Sequence, residues 1–413
     1  MIMFQILIGI TALAALLSFI NAKFLKLSGT IGILILSIII SFSIGSSIYL
    51  YDKEYFMSIY PSLKQIDFRK ILFDFLLGIL LFAGAIHVNL NSLLKEKGSV
   101  IIYATFGVLV STFIIGTIFY YLVLLFGFEI SFFYSLVFGA LVSPTDPVAV
   151  LALLKKAGAP EHMEIKIVGE SLFNDGIGIV VFLSLLSLAT LSHELEITHI
   201  AQEFSIETGG GILMGLILGY LGKISIRSVS KEPIIAVHIS LAIVLGGYSL
   251  SSLLHISGAI AMVVAGLIVG DSLHSEKFSE EFKNHMNIFW EILDEIFNAI
   301  LFVLIGIIII MVDFNIYYLL LGGVTIIIVL LSRYIAIYLS NFLLKKSNRA
   351  NAKERIILTW AGLKGGISIA LALTLPDGET RDIILYVTYV VVVFSIITQG
   401  LTIEKLISKS LKK

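Results

Sequence analysis

The sequence predicts an all-α polytopic membrane protein of about thirteen transmembrane helices, and three observations carry that prediction. Of 413 residues, 58% are hydrophobic and only 14% charged, against roughly 25% charged in an average soluble domain. The apolar residues fall in runs that match a bilayer core about 30 Å thick, which takes about 20 residues of helix. The Lys and Arg residues sort to alternate sides of those runs. A mean hydropathy of +1.02 leaves too few polar groups to cover a water-soluble surface. A net charge of −1 gives no basic excess for nucleic acid. The absence of cysteine excludes disulfides and thiolate metal sites.

The runs lie near 2–20, 27–50, 71–90, 99–126, 131–154, 162–189, 207–228, 233–253, 256–272, 285–311, 316–344, 354–376 and 382–404. The first lacks a basic leader and a small-residue cleavage site, so it reads as a retained span. The eighth and ninth nearly touch at Leu254–Ile256. With thirteen spans, one side collects 20 of the 28 Lys and Arg residues, from Lys23 and Lys26 through Lys155 and Lys156 to Lys412 and Lys413. The other side holds Lys53, Lys64, Arg69, Lys70 and Arg381, and three cations, Lys166, Arg333 and Lys364, fall inside spans. The positive-inside rule then puts the N-terminus outside and the C-terminus in the cytoplasm. The expectation is one transmembrane domain over 1–413 in a plasma membrane. The stretches Tyr51–Lys70 and Ser192–Glu207 are its longest polar segments, both outside.

Charge at membrane depth is costly and marks function. Asp146 stands in Ser143-Pro144-Thr145-Asp146-Pro147, mid-span 5. Two prolines three residues apart remove two donors and break a helix, and such breaks are tolerated only within protein or beside a watery cavity. Half-helix ends there present partial charges, the way transporters build ion sites. The plainer reading is a kink with Asp146 as a cap. Span 6 carries Gly169-Glu170-Ser171-Leu172-Phe173-Asn174-Asp175-Gly176. Glu170 with Asn174, and Ser171 with Asp175, are four apart and share a broad face, rich in the oxygen that hard cations take. The plainer reading is a polar helix contact. Gly176 and Gly178 allow close approach.

Span 12 carries Gly362-Leu363-Lys364-Gly365-Gly366, a second interruption. Lys364 needs a partner, and Glu170 is a candidate. Arg333 in span 11 has the same need, with Glu170 or Asp146 as options. Structural pairing is the expected role of both cations. Interruptions in spans 5 and 12 fit an inverted repeat of spans 3–5 against 10–12. Asp294 and Glu295, with Glu291, either line an ion funnel or sense pH, or are a solvated helix end. His87 reads as interfacial. His193, His199, His274 and His285 lack metal-ligand spacing. Trp290 and Trp360 read as interface anchors.

Taken together, Thr145-Asp146-Pro147, Glu170-Ser171-x-x-Asn174-Asp175, Arg333 and Gly362-Leu363-Lys364-Gly365 resemble a sodium/proton antiporter of the NhaP/NHE branch of the cation/proton antiporter superfamily. The resemblance implies NhaA-like inverted repeats with two interrupted crossing helices. It implies a homodimer, with an ion-transporting core from spans 3–6 and 10–13 (71–189 and 285–404) and a separate dimerisation part. It implies that Asp175 binds Na⁺ (or Li⁺) or H⁺, aided by Ser171 and Thr145, with Asn174 and Asp146 at the same site. Asn174 before Asp175 is the electroneutral pattern. Na⁺ and H⁺ are transported substrates, and no cofactor is expected. Glu170 is expected to pair with Lys364, where the family has Arg. Relatives with an acidic residue in span 3 differ from Phe82-Ala83-Gly84-Ala85 here. The rival readings are a K⁺/H⁺ antiporter and an intramembrane aspartyl protease using Asp146 and Asp175.

Overall fold

The computed structural model describes residues 2–51, 71, 73, 76–146, 150, 154, 157–190, 197–273, 275, 277–308 and 315–411. Lys53, Lys64, Arg69, Lys70, Pro147, Lys155, Lys156, His193, His274, Lys412 and Lys413 lie outside the described residues, as does nearly all of the first polar stretch.

The described residues are helical throughout, with no strand among them. The helices are α1 (Ile2–Ile20), α2 (Gly29–Tyr51), α3 (Leu77–Ile86), α4 (Leu90–Leu125), α5 (Phe132–Val142), α6 (Glu161–Thr190), α7 (Ile197–Ser228), α8 (Pro233–Leu253) and α9 (Gly258–Leu273). After them come α10 (Glu280–Ile308), α11 (Ile316–Leu343), α12 (Ala352–Ala361), α13 (Gly366–Leu373), α14 (Glu379–Phe394) and α15 (Gly400–Leu411). Seven described helices are long and apolar enough to cross a bilayer, or eight if the bent pair α12–α13 is one span. The shorter apolar helices include α3, α5 and α9. Each of these elements overlaps an expected run, but α4 begins at Leu90 and α7 at Ile197, well before the runs at 99 and 207, and α15 extends past 404 to Leu411, while the count of thirteen crossings remains an expectation.

Local chemistry sets the ends. Ser131 caps α5 by accepting from the Tyr134 amide at 3.2 Å. Asn351 and Glu354 form a reciprocal capping box on α12. Pro233 sits in the first turn of α8, where no donor is missed. The turn between α8 and α9 passes through His255 at φ 54°, a left-handed conformation unusual for a side-chain-bearing residue.

Packing places α5 at the centre, against α4, α6, α13 and α14, with α9 against both α3 and α7 and α10 against α2. At the crossing of α4 and α5, a Cβ on Gly116 would sit 2.8 Å from the Ser135 carbonyl oxygen, so the close approach requires glycine. Trp290 corrects the interface-anchor expectation. It is fully buried, packs at a tilt against the Phe82 ring and donates to Ser240 Oγ at 3.2 Å. Its ring fills the space between α3, α8 and α10, a larger apolar gain than a membrane-surface position gives. Trp360 is half-buried, with its Nε1 donating to Thr402.

Candidate functional site

Two helices break at the same level, and the broken segments cross. The first, α5, ends at Val142, just before Pro144, whose missing N–H and ring oppose continuation. The second break separates α12 from α13, which are bent by 51° at Gly362–Gly365. The Asp146 amide donates to the Leu363 carbonyl at 2.8 Å, tying the two extended segments together. A Cβ on Gly365 would run into the Asp146 carboxyl group, so the crossing at this distance requires glycine. Gly178 on α6 plays the same part against the Pro144 ring.

Breaking a helix in the apolar interior frees backbone groups that must find partners. The Thr145 amide donates to Asn174 Oδ1 at 3.2 Å. The Lys364 amide donates to Ser395 Oγ at 2.9 Å. Ser395 donates to Gln399 Oε1 at 2.6 Å, and Gln399 Nε2 donates to the Trp360 carbonyl at 3.0 Å. Ser395 and Gln399 bound a π-helical turn between α14 and α15, a distortion that turns these side chains toward the break.

The charges at the crossing answer the half-helix dipoles. Lys364 Nζ donates to the carbonyls of Ser143 and Pro144, at 2.9 and 3.2 Å, at the C-terminal, partially negative end of α5. The Asp146 carboxyl group packs on Gly365, at the N-terminal, partially positive end of α13. Glu170 receives two hydrogen bonds from Arg333, Nη1 to Oε1 and Nη2 to Oε2, the latter at 2.9 Å. Both side chains are buried. The expected Glu170–Lys364 pair is therefore corrected: Arg333 takes both Glu170 oxygens. The reason is geometric. A planar guanidinium matches a carboxylate with two parallel bonds, whereas an ammonium is a point charge suited to converging carbonyls.

Asp175 is buried at 6% exposure and lines a cavity of about 50 Å³ with Thr145, Asp146, Asn298 and Ser368. That volume holds a water or two, or one small cation. Leu77, Leu80, Leu81, Gly84, Leu172 and Leu301 give the cavity apolar walls. Ser171 and Asn174 lie behind Thr145 and do not line the cavity. Thr145 Oγ1 and Ser171 Oγ share a hydrogen bond at 2.8 Å, and Asn174 Nδ2 donates to Thr145 Oγ1 at 2.9 Å. Of the expected ion-binding residues, the structure thus gathers Asp175, Thr145 and Asp146 around one space. It places Ser171 and Asn174 as the clamp on Thr145.

Two cavity residues escaped the sequence reading. Asn298 is a lone amide in the apolar half of α10, visible only as one polar residue four beyond Asp294. Ser368 follows the glycines of span 12 by one turn and carried no signal. Asn298 Nδ2 donates to the Asp294 carbonyl at 2.9 Å and to Asp294 Oδ1 at 3.0 Å. Asp294 is half-buried and Glu291 and Glu295 are exposed, so Asn298 links the cavity to one half-buried carboxylate midway along α10. Span 3 gives the cavity an apolar wall through Leu77, Leu80, Leu81 and Gly84.

Over residues 9–409 the sequence matches a family model described as "Sodium/hydrogen exchanger, transmembrane". It is 40% identical to the Na⁺/H⁺ antiporter NhaP of Pseudomonas aeruginosa, over 98% of this chain and 97% of that one. Against the Na⁺/H⁺ antiporter NhaH of Halobacillus dabanensis the identity is 36%, over 83% of each chain. The fold superposes on the sodium proton antiporter MjNhaP1 of Methanocaldococcus jannaschii with a TM-score of 0.75, 21% identity and 99% coverage of both chains.

Proposed function

The chain belongs to the sodium/hydrogen exchanger family and is a membrane-embedded sodium/proton antiporter; from that premise we propose that exchange runs one for one through Asp175. The observation that carries the reading is the position of Asp175: buried, at the crossing of two broken helices, facing a cavity with room for one small ion.

A bare carboxylate is expensive to carry through an apolar barrier. Protonation neutralises it, and so does a bound Na⁺. Either loaded form moves; the empty, charged form stalls, and that penalty couples the two ions. Thr145 and Asp146 supply further oxygen, suited to a hard cation. Asn174 and Ser171 act at one remove, holding the Thr145 segment in place. Lys364 balanced by Asp146, together with the self-neutral Glu170–Arg333 pair, keeps the crossing neutral overall without drawing on Asp175. Asp294 and Asn298 mark the cytoplasmic approach to the cavity. One carboxylate serving one ion at a time makes the exchange electroneutral.

The same reading places the protein in the plasma membrane as a homodimer, with the N-terminus outside and the C-terminus in the cytoplasm. Spans 3–6 and 10–13 form the transporting core. Na⁺ and Li⁺ are its cations; K⁺ is the alternative that the same oxygen set leaves to the assay. The protease reading is set aside because the family is one of transporters.

The test is proton flux in proteoliposomes with imposed Na⁺, Li⁺ or K⁺ gradients, with and without an ionophore that clamps voltage. Wild type moves protons with Na⁺ or Li⁺ at a rate that voltage does not change, and Asp175→Asn moves none. Voltage-dependent flux refutes the stoichiometry, and Na⁺-driven flux in Asp175→Asn refutes the site.

A further inference from the structure

A second and larger cavity, of about 360 Å³, lies next to the ion cavity. Glu207, Ser252, His255 and Thr374 give it polar walls. Its residues come from Phe73 and the start of α3, the C-terminal parts of α6 and α13, Glu207 in the first half of α7, and α8 and α9 about the turn that joins them. The charge partition assigns every one of those positions to the outer side. The cavity is therefore an outer vestibule, and the ion cavity with its Asp294–Asn298 approach lies on the inner side of it.

What separates the two is thin. On α6 the lining passes from Asp175 in the ion cavity to Ile179 in the vestibule. On α13 it passes from Ser368 to Leu371. Each step is one helical turn, about 5.4 Å. On α3 there is no step at all: Leu77 lines both cavities, and it is the single described residue that does so. Leu77 is buried at 1% exposure, and Ile179 and Leu371 are buried beside it.

We propose that Leu77 is the outer gate of the exchanger, an apolar plug one side chain thick between the ion cavity and an outer vestibule. The inference rests on the exchange reading above. In the conformation described, ions reach Asp175 from the inner side because the Leu77 side chain fills the gap to the vestibule. Water does not wet a gap closed by apolar side chains, so neither Na⁺ nor a proton crosses it. Opening to the outside requires the layer of Leu77, Ile179 and Leu371 to part. Truncating Leu77 at Cβ joins the cavities. Asp175 is then open to both sides at once, and a proton can pass without the protein moving.

The experiment uses proteoliposomes in which a pH gradient is imposed with choline as the sole cation. Wild type must first exchange Na⁺ for H⁺; if it does not, the functional reading fails before the gate is tested. With exchange established, wild type holds the gradient in choline, whereas Leu77→Ala dissipates it at least ten-fold faster. A Leu77→Ala variant as tight as wild type overturns the gate. Because the chain has no cysteine, a second measurement serves if that variant folds poorly. Leu77→Cys and Ser252→Cys are labelled with a membrane-impermeant maleimide from the outside. Ser252→Cys, in the vestibule, reacts at least ten-fold faster than Leu77→Cys, and the adduct at 77 stops exchange. Equal rates, or full exchange by the labelled Leu77→Cys protein, overturn the proposal.

Discussion

At the scale of single residues, the buried charges divide their work. Glu170 and Arg333 neutralise each other through two parallel hydrogen bonds, and removing one partner leaves the other stranded in an apolar interior. Arg333→Ala is expected to cost about 3–5 kcal/mol. Lys364 instead binds two carbonyl oxygens, so Lys364→Ala is expected to cost less, about 1.5–3 kcal/mol, the range for hydrogen bonds to a charged group. Thermal unfolding of the purified variants checks the order, and a larger loss in Lys364→Ala contradicts the assignment of partners. Arg333→Lys restores little, since an ammonium cannot repeat the two-pronged contact. Sequence alone left this pairing open between two cations. Nothing in spacing along one helix says which of two other helices presents its cation at that depth.

At the scale of elements, the crossing of the broken helices is the unit that makes the site. Its glycines are needed because carboxylate, proline ring and backbone meet where a side chain would stand. Gly365→Ala presses a methyl group into the Asp146 carboxyl group. The expected result is a protein that inserts and stays folded but exchanges at least ten-fold more slowly, read as Na⁺-driven proton flux beside yield and thermal stability. Unchanged flux would mean that the spacing at the crossing has slack. This unit was legible in large part: prolines around one aspartate and glycines around one lysine are direct signs of interruption. The clamp was not. Asn174 and Ser171 read as ligands because their oxygens share a face with Asp175, and only the fold reveals that Thr145 occupies them. Asn298 was missed because a single amide in an apolar run carries no periodicity.

At the scale of the whole molecule, the proposed competition of two ions for one carboxylate would fix the pH dependence. The proton and Na⁺ both need the deprotonated site, so acid raises the Na⁺ concentration required. Where the site is mostly protonated, each fall of one pH unit raises the apparent KM for Na⁺ by about ten-fold, with the maximal rate set elsewhere. Initial rates over a grid of pH and Na⁺ concentration check this, and an apparent KM independent of pH would sink the single-site account. The orientation is also testable. Single cysteines introduced at Ser275 and Ser408 are expected to be reached only from the cytoplasm. Composition made the membrane class plain, and the sidedness read from the distribution of Lys and Arg stays an expectation. The cavities were not legible, because they form where several helices fail to fill space, and no one segment records that.

The central claim is that one side chain holds either ion and never both. Purified protein in a weakly buffered solution with a pH indicator tests it without any membrane. Adding Na⁺ to wild type near the pH where the site is half protonated should release protons, saturating at up to about one per chain and reversing when Na⁺ is withdrawn. Asp175→Asn should bind no Na⁺ at that site and release none. Proton release from Asp175→Asn equal to that of wild type, or Na⁺ binding to wild type with no release across the pH range, would contradict the account.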